Sequence, residues 1–362
     1  MTEREKEILE LIKVEPSISQ NDLALRLGIA RSSVAVHITN LMKQGLILGK
    51  GYIVNTEPYV LVIGASNIDI QGVPDKKLIP KDSNIGSIEL ALGGVGRNIA
   101  ENCTKLGINT KLISAVGDDV FGKRILAHSI EIGLNMADSL ILKDQSSSIY
   151  LSILDENRDM NVAINAMASI DKIDVDFIQS KKHLIQNAQL ILMDTNLKEE
   201  VIIEVTQLAS APIFIDTVSS TKALKIKSIL NRIDTLKPNQ LEAQILTGIS
   251  IRTDEDIKAN ARKLHDLGVK NVYITLGPKG VYASTENEEN FYLNPNVNVV
   301  NATGAGDAFI SALVYAKLHE MNLKESVQVA LSASALCLES TQTISDKLSV
   351  DNLMAKKLDY FI

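Results

Sequence analysis

Val299-Val-Asn-Ala-Thr-Gly-Ala-Gly-Asp-Ala-Phe309 decides how the rest of this 362-residue chain is read. The two valines predict the end of an apolar strand, Gly304 and Gly306 a turn, and the residues from Gly306 to about His319 a helix with Asp307 in its first turn. Glycine lets a backbone come close to a ligand, and the first amides of a helix lack intrahelical partners and point at whatever anion sits there. A carboxylate beside such a hole suits a base that takes a hydroxyl proton as phosphate arrives. The stretch therefore reads as a phosphoryl-transfer site, with Gly304, Ala305 and Gly306 as the anion hole and Asp307 as the base. Taken without its neighbours it reads equally as a glycine turn kept for packing.

Outward from this stretch, apolar runs at Tyr59–Gly64, Lys111–Val116, Leu190–Met193, Pro212–Ile215, Asp234–Leu236 and Asn271–Leu276 alternate with helical patterns at Asn98–Leu106, Lys198–Ala209, Leu241–Thr247 and Asp254–Leu267. Continuous apolar strands separated by helices predict an α/β fold, a parallel sheet with helices on both faces and ligands at the carboxyl ends of the strands. Two segments depart from that rhythm. Ile149, Leu151 and Ile153 alternate with Tyr150 and Ser152, and after Asp155-Glu-Asn-Arg158, Met160, Val162 and Ile164 alternate with Asn161 and Asn165. Period-two alternation predicts a hairpin with one apolar face. With the stretch from Asp69 to Leu92 it forms a small β lid or dimer contact within 69–92 and 147–166, or else extends the main sheet.

Other strand ends supply the rest of a site. Lys237-Pro-Asn239-Gln-Leu-Glu242 opens a helix and sets an amide and a carboxylate one turn apart, as an outer-shell clamp for hydrated magnesium and as a helix cap. Thr275-Leu-Gly277-Pro-Lys-Gly280 is a turn able to pass close to a nucleotide. Asn67 and Asp69 after the first strand, and Asn98 behind Gly93-Gly94, present short polar groups to a polyol. Gly117-Asp-Asp-Val-Phe-Gly122-Lys123-Arg124 imitates a phosphate loop, but Arg124 replaces the Ser/Thr that holds magnesium and Asp118 and Asp119 repel phosphate. Gly94-Val-Gly96-Arg-Asn-Ile99 lacks the third glycine and the preceding strand of a dinucleotide fingerprint.

Residues 1–54 read as a separate unit. Ile8, Leu11 and Ile12 form one stripe; Ser19 with Asp22 opens a second helix that Gly28 ends; a third, from about Arg31 to Gln44, buries Val34, Ile38 and Leu41 and turns Arg31, Ser32, Ser33, His37 and Asn40 outward. Leu46–Leu48 and Tyr52–Val54 flank Gly49-Lys50-Gly51 as a hairpin wing, and 55–58 is a short linker to a second domain over 59–362. Net charge is −7, yet these 54 residues hold seven Lys/Arg against six Asp/Glu, and none of the acids falls between Arg26 and Lys50. Such a basic face on an acidic protein marks where DNA docks, through Arg31, Ser32, Ser33, His37 and Lys50; a protein-interaction module is the alternative. The order resembles the winged helix-turn-helix of MarR- and Lrp-like regulators.

Two cysteines without a CxxC pair, and five scattered histidines, give no support to zinc chemistry or a His-based triad; Cys103 falls at core spacing with Ile99 and Leu106. No apolar run approaches the ~18 to 20 residues that span a bilayer and the charged N-terminus lacks a signal core, so a cytoplasmic protein is expected.

In combination, Gly64-Ala-Ser-Asn67-Ile-Asp69, Gly93-Gly-Val-Gly-Arg-Asn98, Lys237-Pro-Asn-Gln-Leu-Glu242 and Thr303-Gly-Ala-Gly-Asp307 resemble the ribokinase-like (PfkB) carbohydrate kinases over residues 59 to 350. The resemblance implies Asp307 as catalytic base and the Gly304–Gly306 amides as anion hole. It places Mg²⁺ and ATP at Asn239 and Glu242, with Thr275, Gly277, Gly280 and Thr303 along the nucleotide. The acceptor would meet Asn67, Asp69, Gly93, Gly94 and Asn98, with Tyr150 and Asn165 of the hairpin, and a homodimer is expected. Met160-Asn-Val-Ala-Ile-Asn165, Asp194-Thr-Asn-Leu197, Asp216-Thr-Val-Ser219 with Lys222, and Thr235-Leu-Lys-Pro-Asn-Gln-Leu-Glu-Ala243 look like the pseudouridine kinases within that family. Asn301 stands where most of the wider family has Asp at a position linked to a monovalent cation, and Ala166 stands where an acid is expected after Asn165. The expected activity is ATP-dependent phosphorylation of a nucleoside 5′-hydroxyl, pseudouridine first. The alternatives are a nucleoside- or sugar-sensing transcription regulator and a ribose- or fructose-type sugar kinase.

Overall fold

A computed structural model describes residues 1–49 and 57–361. The expected wing turn at Lys50, its Tyr52–Val54 arm and the first half of the linker lie outside those residues.

The first strand of the body, β1 (Val60–Ile63), is wholly buried and explains the architecture. Successive side chains point to opposite faces, so Val60 and Val62 enter one core layer and Leu61 and Ile63 the other. Burying each such side chain contributes about 1.5–3 kcal/mol, and a strand covered on both sides has no place for polar alternation. The helices Val95–Lys105, Ala305–Leu318 and Leu323–Leu338 cover the first face, with Cys103 buried among them as expected. Glu199–Leu208, Gln240–Thr247 and Asp254–Asp266 cover the second. β1 lies between β4 (Thr110–Ile113) and β9 (Leu190–Asp194), and the parallel order continues through β10 (Ile213–Asp216), β11 (Thr235–Lys237) and β12 (Asn271–Thr275).

The structure corrects three expectations. The main sheet is mixed, because β13 (Val281–Ser284) and β14 (Glu289–Tyr292) close its edge as antiparallel strands. The tight turn at Gly277–Lys279 is too short for the crossover that a parallel neighbour requires. Lys111–Val116 breaks at the buried Ser114, and its second half, β5 (Ala115–Gly117), leaves to pair with β6 (Leu140–Leu142). Val299 and Val300 form no strand and are 58% and 51% exposed; the amides of Val300 and Asn301 bond instead to the Leu338 carbonyl at the end of a helix.

The lid is a separate four-stranded sheet in the order β3-β2-β7-β8, from β2 (Asn67–Pro74), β3 (Gly86–Gly93), β7 (Ile149–Leu154) and β8 (Met160–Ala166). Its register aligns Asp69, Tyr150 and Asn165 on one face and Leu90, Ile70, Leu151 and Ile164 on the other. The apolar face meets the core at its Asn67 end, where Ile68 is buried and Ile70 and Leu92 pack against the core, and is open farther out, with Ile88 74% and Ile164 63% exposed. Ala166 pairs with Ile149 on that apolar side, not beside Asn165.

At the N-terminus, the helices Glu3–Val14, Gln20–Leu27 and Arg31–Lys43 enclose their own core of Ile8, Ile12, Leu23, Val34, Ile38 and Leu41. Ser19 caps the second and Gly28, at φ +63°, ends it. No helix among the described residues is long and apolar enough to cross a membrane.

Candidate active site

The helix Ala305–Leu318 opens on Gly304, whose φ is +86° and whose place leaves no room for a side chain: an added Cβ would lie 2.1 Å from the Thr343 carbonyl. No side chain caps this helix start, so its first amides remain available to an anion. Asp307 follows in the first turn, buried, and its Oδ2 accepts a hydrogen bond of 2.8 Å from Asn98 Nδ2. Two motifs 209 residues apart meet here because their helices pack together, with Ser311 Oγ donating to the Ile99 carbonyl at 3.2 Å. Burial pushes the Asp307 carboxyl up to about 7; Asp216 and Asp194 add to the shift, and Asn98 and Lys237 oppose it.

At the end of β1, Gly94 has φ +98° and lies so close that a Cβ would come within 2.4 Å of the Ala65 carbonyl. That approach seats Asn98 over the sheet edge. Asn67 Nδ2 donates to Asp69 Oδ1 at 2.6 Å, and Gly93 pairs with Asn67 in the lid register. Burial raises the Asp69 pKa, with Asn67 and Arg97 pulling it down. Tyr150 sits beside Asp69, and Asn165 beside Tyr150, on the same lid face.

Of the residues expected along the nucleotide, Asn239 and Thr275 are brought together. Asn239 caps the Gln240–Thr247 helix in a reciprocal box: its Oδ1 accepts from the Glu242 amide at 2.9 Å, and Glu242 Oε2 accepts from the Asn239 amide at 2.8 Å and from Thr217 Oγ1 at 2.6 Å. Thr275 is bridged to Asn239, donating its amide to the Pro238 carbonyl at 2.9 Å, and Gly277 and Gly280 bound the following turn. The Thr303 amide donates to Asn301 Oδ1 at 2.9 Å, while Asn301 Nδ2 donates to the Thr341 carbonyl at 3.2 Å. The phosphate-loop imitation is structural: Asp119 caps a helix through the Gly122 amide and also binds Ser147.

Several residues at this edge escaped the sequence reading as parts of a site. Lys237 Nζ lies 3.0 Å from Asp216 Oδ2, both side chains buried, and 3.3 Å from where a Cβ on Gly306 would sit. Burial disfavours its charge, but Asp216, Asp307 and Glu242 together hold its pKa above the ordinary value. Asp194 accepts from the Ala65 and Asn196 amides. Val218, at φ +55°, occupies a conformation costly for a β-branched residue, in the turn that carries Asp216 and Thr217. The available signal was that β9 and β10 are apolar runs ending in an acid, Asp194 and Asp216.

In the N-terminal unit Arg31, Ser32 and Ser33 are exposed together at a helix start. His37 and Asn40 are not turned outward as expected. Asn40 Nδ2 donates to Glu5 Oε1 at 3.2 Å and His37 Nδ1 lies 3.8 Å from the same oxygen, because Glu5 is held in the core side of the first helix by its cap with Thr2.

Such a fold and edge define a phosphotransferase whose acceptor is a hydroxyl group. The chain belongs to the pfkB family of carbohydrate kinases, whose model matches residues 57–349. A winged helix-turn-helix DNA-binding model matches residues 1–47. The chain is 37% identical over 357 residues to the uncharacterised sugar kinase YeiI of Escherichia coli K12, covering 98% of this chain and 99% of that one. It is 38% identical over 299 residues to the pseudouridine kinase of the same organism, covering 82% and 96%. A crystal structure presented as that of a sugar kinase from Clostridium perfringens superposes with a TM-score of 0.77 at 34% identity, covering 84% and 97%.

Proposed function

We propose that this sugar or nucleoside kinase transfers the γ-phosphoryl group of ATP to the 5′-hydroxyl of a nucleoside, pseudouridine before others. The observation that carries the reading is Asp307, a buried carboxyl held by Asn98 at the uncapped start of a helix and poised at about 7. Asp307 takes the hydroxyl proton, and the Gly304, Ala305 and Gly306 amides face the charge that develops on the phosphoryl group. Asn67, Asp69 and Asn98, with Gly93 and Gly94 letting the chain pass close, hold the ribose hydroxyls; Tyr150 and Asn165 close over it from the lid. Thr275, Gly277, Gly280 and Thr303 lie along the nucleotide.

Magnesium, when bound, would neutralise phosphate charge. Among the described residues no three His, Cys, Asp or Glu side chains gather to cage a metal, and Glu242 spends only Oε2 in its internal bonds. That donor set fits an ion carried on phosphate and touched through water by Asn239 and Glu242. At the position linked to a monovalent cation, Asn301 offers an amide donor to the Thr341 carbonyl rather than a carboxylate, which weighs against a cation there.

Identity to a pseudouridine kinase supports the nucleoside, while a whole-length relative known only as a sugar kinase keeps ribose and fructose as the second reading. ADP release measured with ATP and a panel of nucleosides and sugars decides between them. Pseudouridine is expected to give the highest kcat/KM and a 5′-phosphate product; a sugar ahead of every nucleoside would overturn the assignment. The N-terminal unit adds DNA binding through Arg31, Ser32 and Ser33, so that a cytoplasmic kinase also reports its substrate to a promoter; a sensor with no turnover would not need Asp307, Asn239 and Glu242 together.

A further inference from the structure

Arg97 is a buried cation that the proposed chemistry does not use. It is 3% exposed, and its nitrogens are all engaged: Nε donates to the Gly93 carbonyl at 2.9 Å, Nη2 to the Leu92 carbonyl at 2.7 Å and to Asn98 Oδ1 at 2.5 Å, and Nη1 to Glu101 Oε2 at 2.5 Å. Glu101, itself buried, meets His128 Nε2 at 3.0 Å, on the neighbouring Val120–Glu131 helix. A side-chain amide has an oxygen edge and an N–H edge, and a guanidinium is donor only. Arg97 can therefore pair only with the oxygen of Asn98, which leaves Nδ2 for Asp307.

We infer that Arg97, fixed by Glu101, is a positioning residue that sets the orientation of Asn98 and so keeps Asp307 a carboxylate ready for the hydroxyl proton. The inference rests on Asp307 being the base. With the amide reversed, Asn98 would turn its oxygen to Asp307 and favour the protonated acid, which cannot take a proton. The same guanidinium grips the last residues of lid strand β3, so the end of the lid and the base share one anchor. The Arg97 charge also reaches Asp307 directly, and the other charged groups that act on Asp307, namely Asp216, Asp194 and Lys237, come from β9, β10 and β11 and are not bonded to Arg97.

The test is kcat/KM against pH, with melting temperatures, using ATP and whichever nucleoside or sugar gives the fastest ADP release. The variants are Arg97→Lys, which keeps charge without the fork, and Arg97→Met with Glu101→Gln, which avoids stranding a buried carboxylate. Both are expected to move the acid limb up by about half a pH unit or more and to lower kcat at pH 7 roughly 3- to 30-fold, with KM for ATP within about threefold. On an Asn98→Ala background Arg97→Lys, which keeps the charge that also reaches Asp307 directly, should add less than about twofold, since its effect passes through Asn98. An unshifted limb in folded variants, or full additivity with Asn98→Ala, overturns the inference. Should the Arg97 variants not fold, Glu101→Gln alone is expected to shift the limb the same way by less, and an unshifted limb there counts against the role. Asp307→Asn, run alongside, separates the two readings: retained turnover removes the base, whereas an inactive Asp307→Asn beside Arg97 variants with the wild-type profile removes only the positioning role.

Discussion

Asp307 binds its proton far more tightly than an exposed carboxyl, and the same property links catalysis to stability. As a base it works ionised, so kcat/KM should rise with pH through a midpoint near its value of about 7. In folding the sign is opposite: a carboxyl whose folded pKa exceeds its ordinary value of 3.8 favours the folded state below that value and loses this contribution as pH climbs through 7. Asp307→Asn removes both effects. Turnover should fall roughly 10²- to 10⁴-fold, while the gain in melting temperature over wild type should be larger at pH 8 than at pH 5. Equal gains at the two pH values, by calorimetry, would contradict a buried carboxyl forced to ionise. Asp307 was legible in the sequence because glycine, acid and apolar run sit side by side. Arg97, which holds its partner Asn98, was not: a single Arg inside a helix pattern reads as solvent-facing, and only the packing around it makes it a buried cation.

Among the elements, the buried strands were the easiest to read, since burial on both faces forces an apolar run with no other explanation. Element type held while partner and direction failed. Nothing in Asn271–Leu276 distinguishes a strand with parallel neighbours from one whose next strand returns antiparallel; the shortness of the turn at Gly277–Lys279 carries that information. Val299-Val300 failed for the opposite reason, being apolar without being covered. The lid hairpin was read from alternation alone, and its apolar face is open in the monomer. Contiguous exposed apolar surface of this kind marks an interaction site, and a second copy of the same sheet is the expected occupant. Ile88→Asp with Ile164→Asp should shift sedimentation from dimer to monomer with little change in melting temperature, because neither side chain belongs to the core. A dimer that survives both changes would place assembly elsewhere.

Taken whole, the chain is slightly basic over residues 1–54, with seven Lys/Arg against six Asp/Glu, and acidic over the kinase body. Binding to double-stranded DNA from the gene's own upstream region should weaken steeply between about 50 and 200 mM salt, and Arg31→Ala should reduce the slope of log affinity against log salt by about one. Salt-independent association would point to a protein partner for that unit. In the lid, neighbouring residues of each strand alternate between the face that carries Asp69, Tyr150 and Asn165 and the apolar face. If the proposed acceptor site is right, point changes at Tyr150 or Asn165 are expected to alter substrate choice without touching the apolar face, and changes at Leu151 or Ile164 to do the reverse. Gain or loss of one residue exchanges both sets at once, so this lid should tolerate changes of composition far better than changes of length.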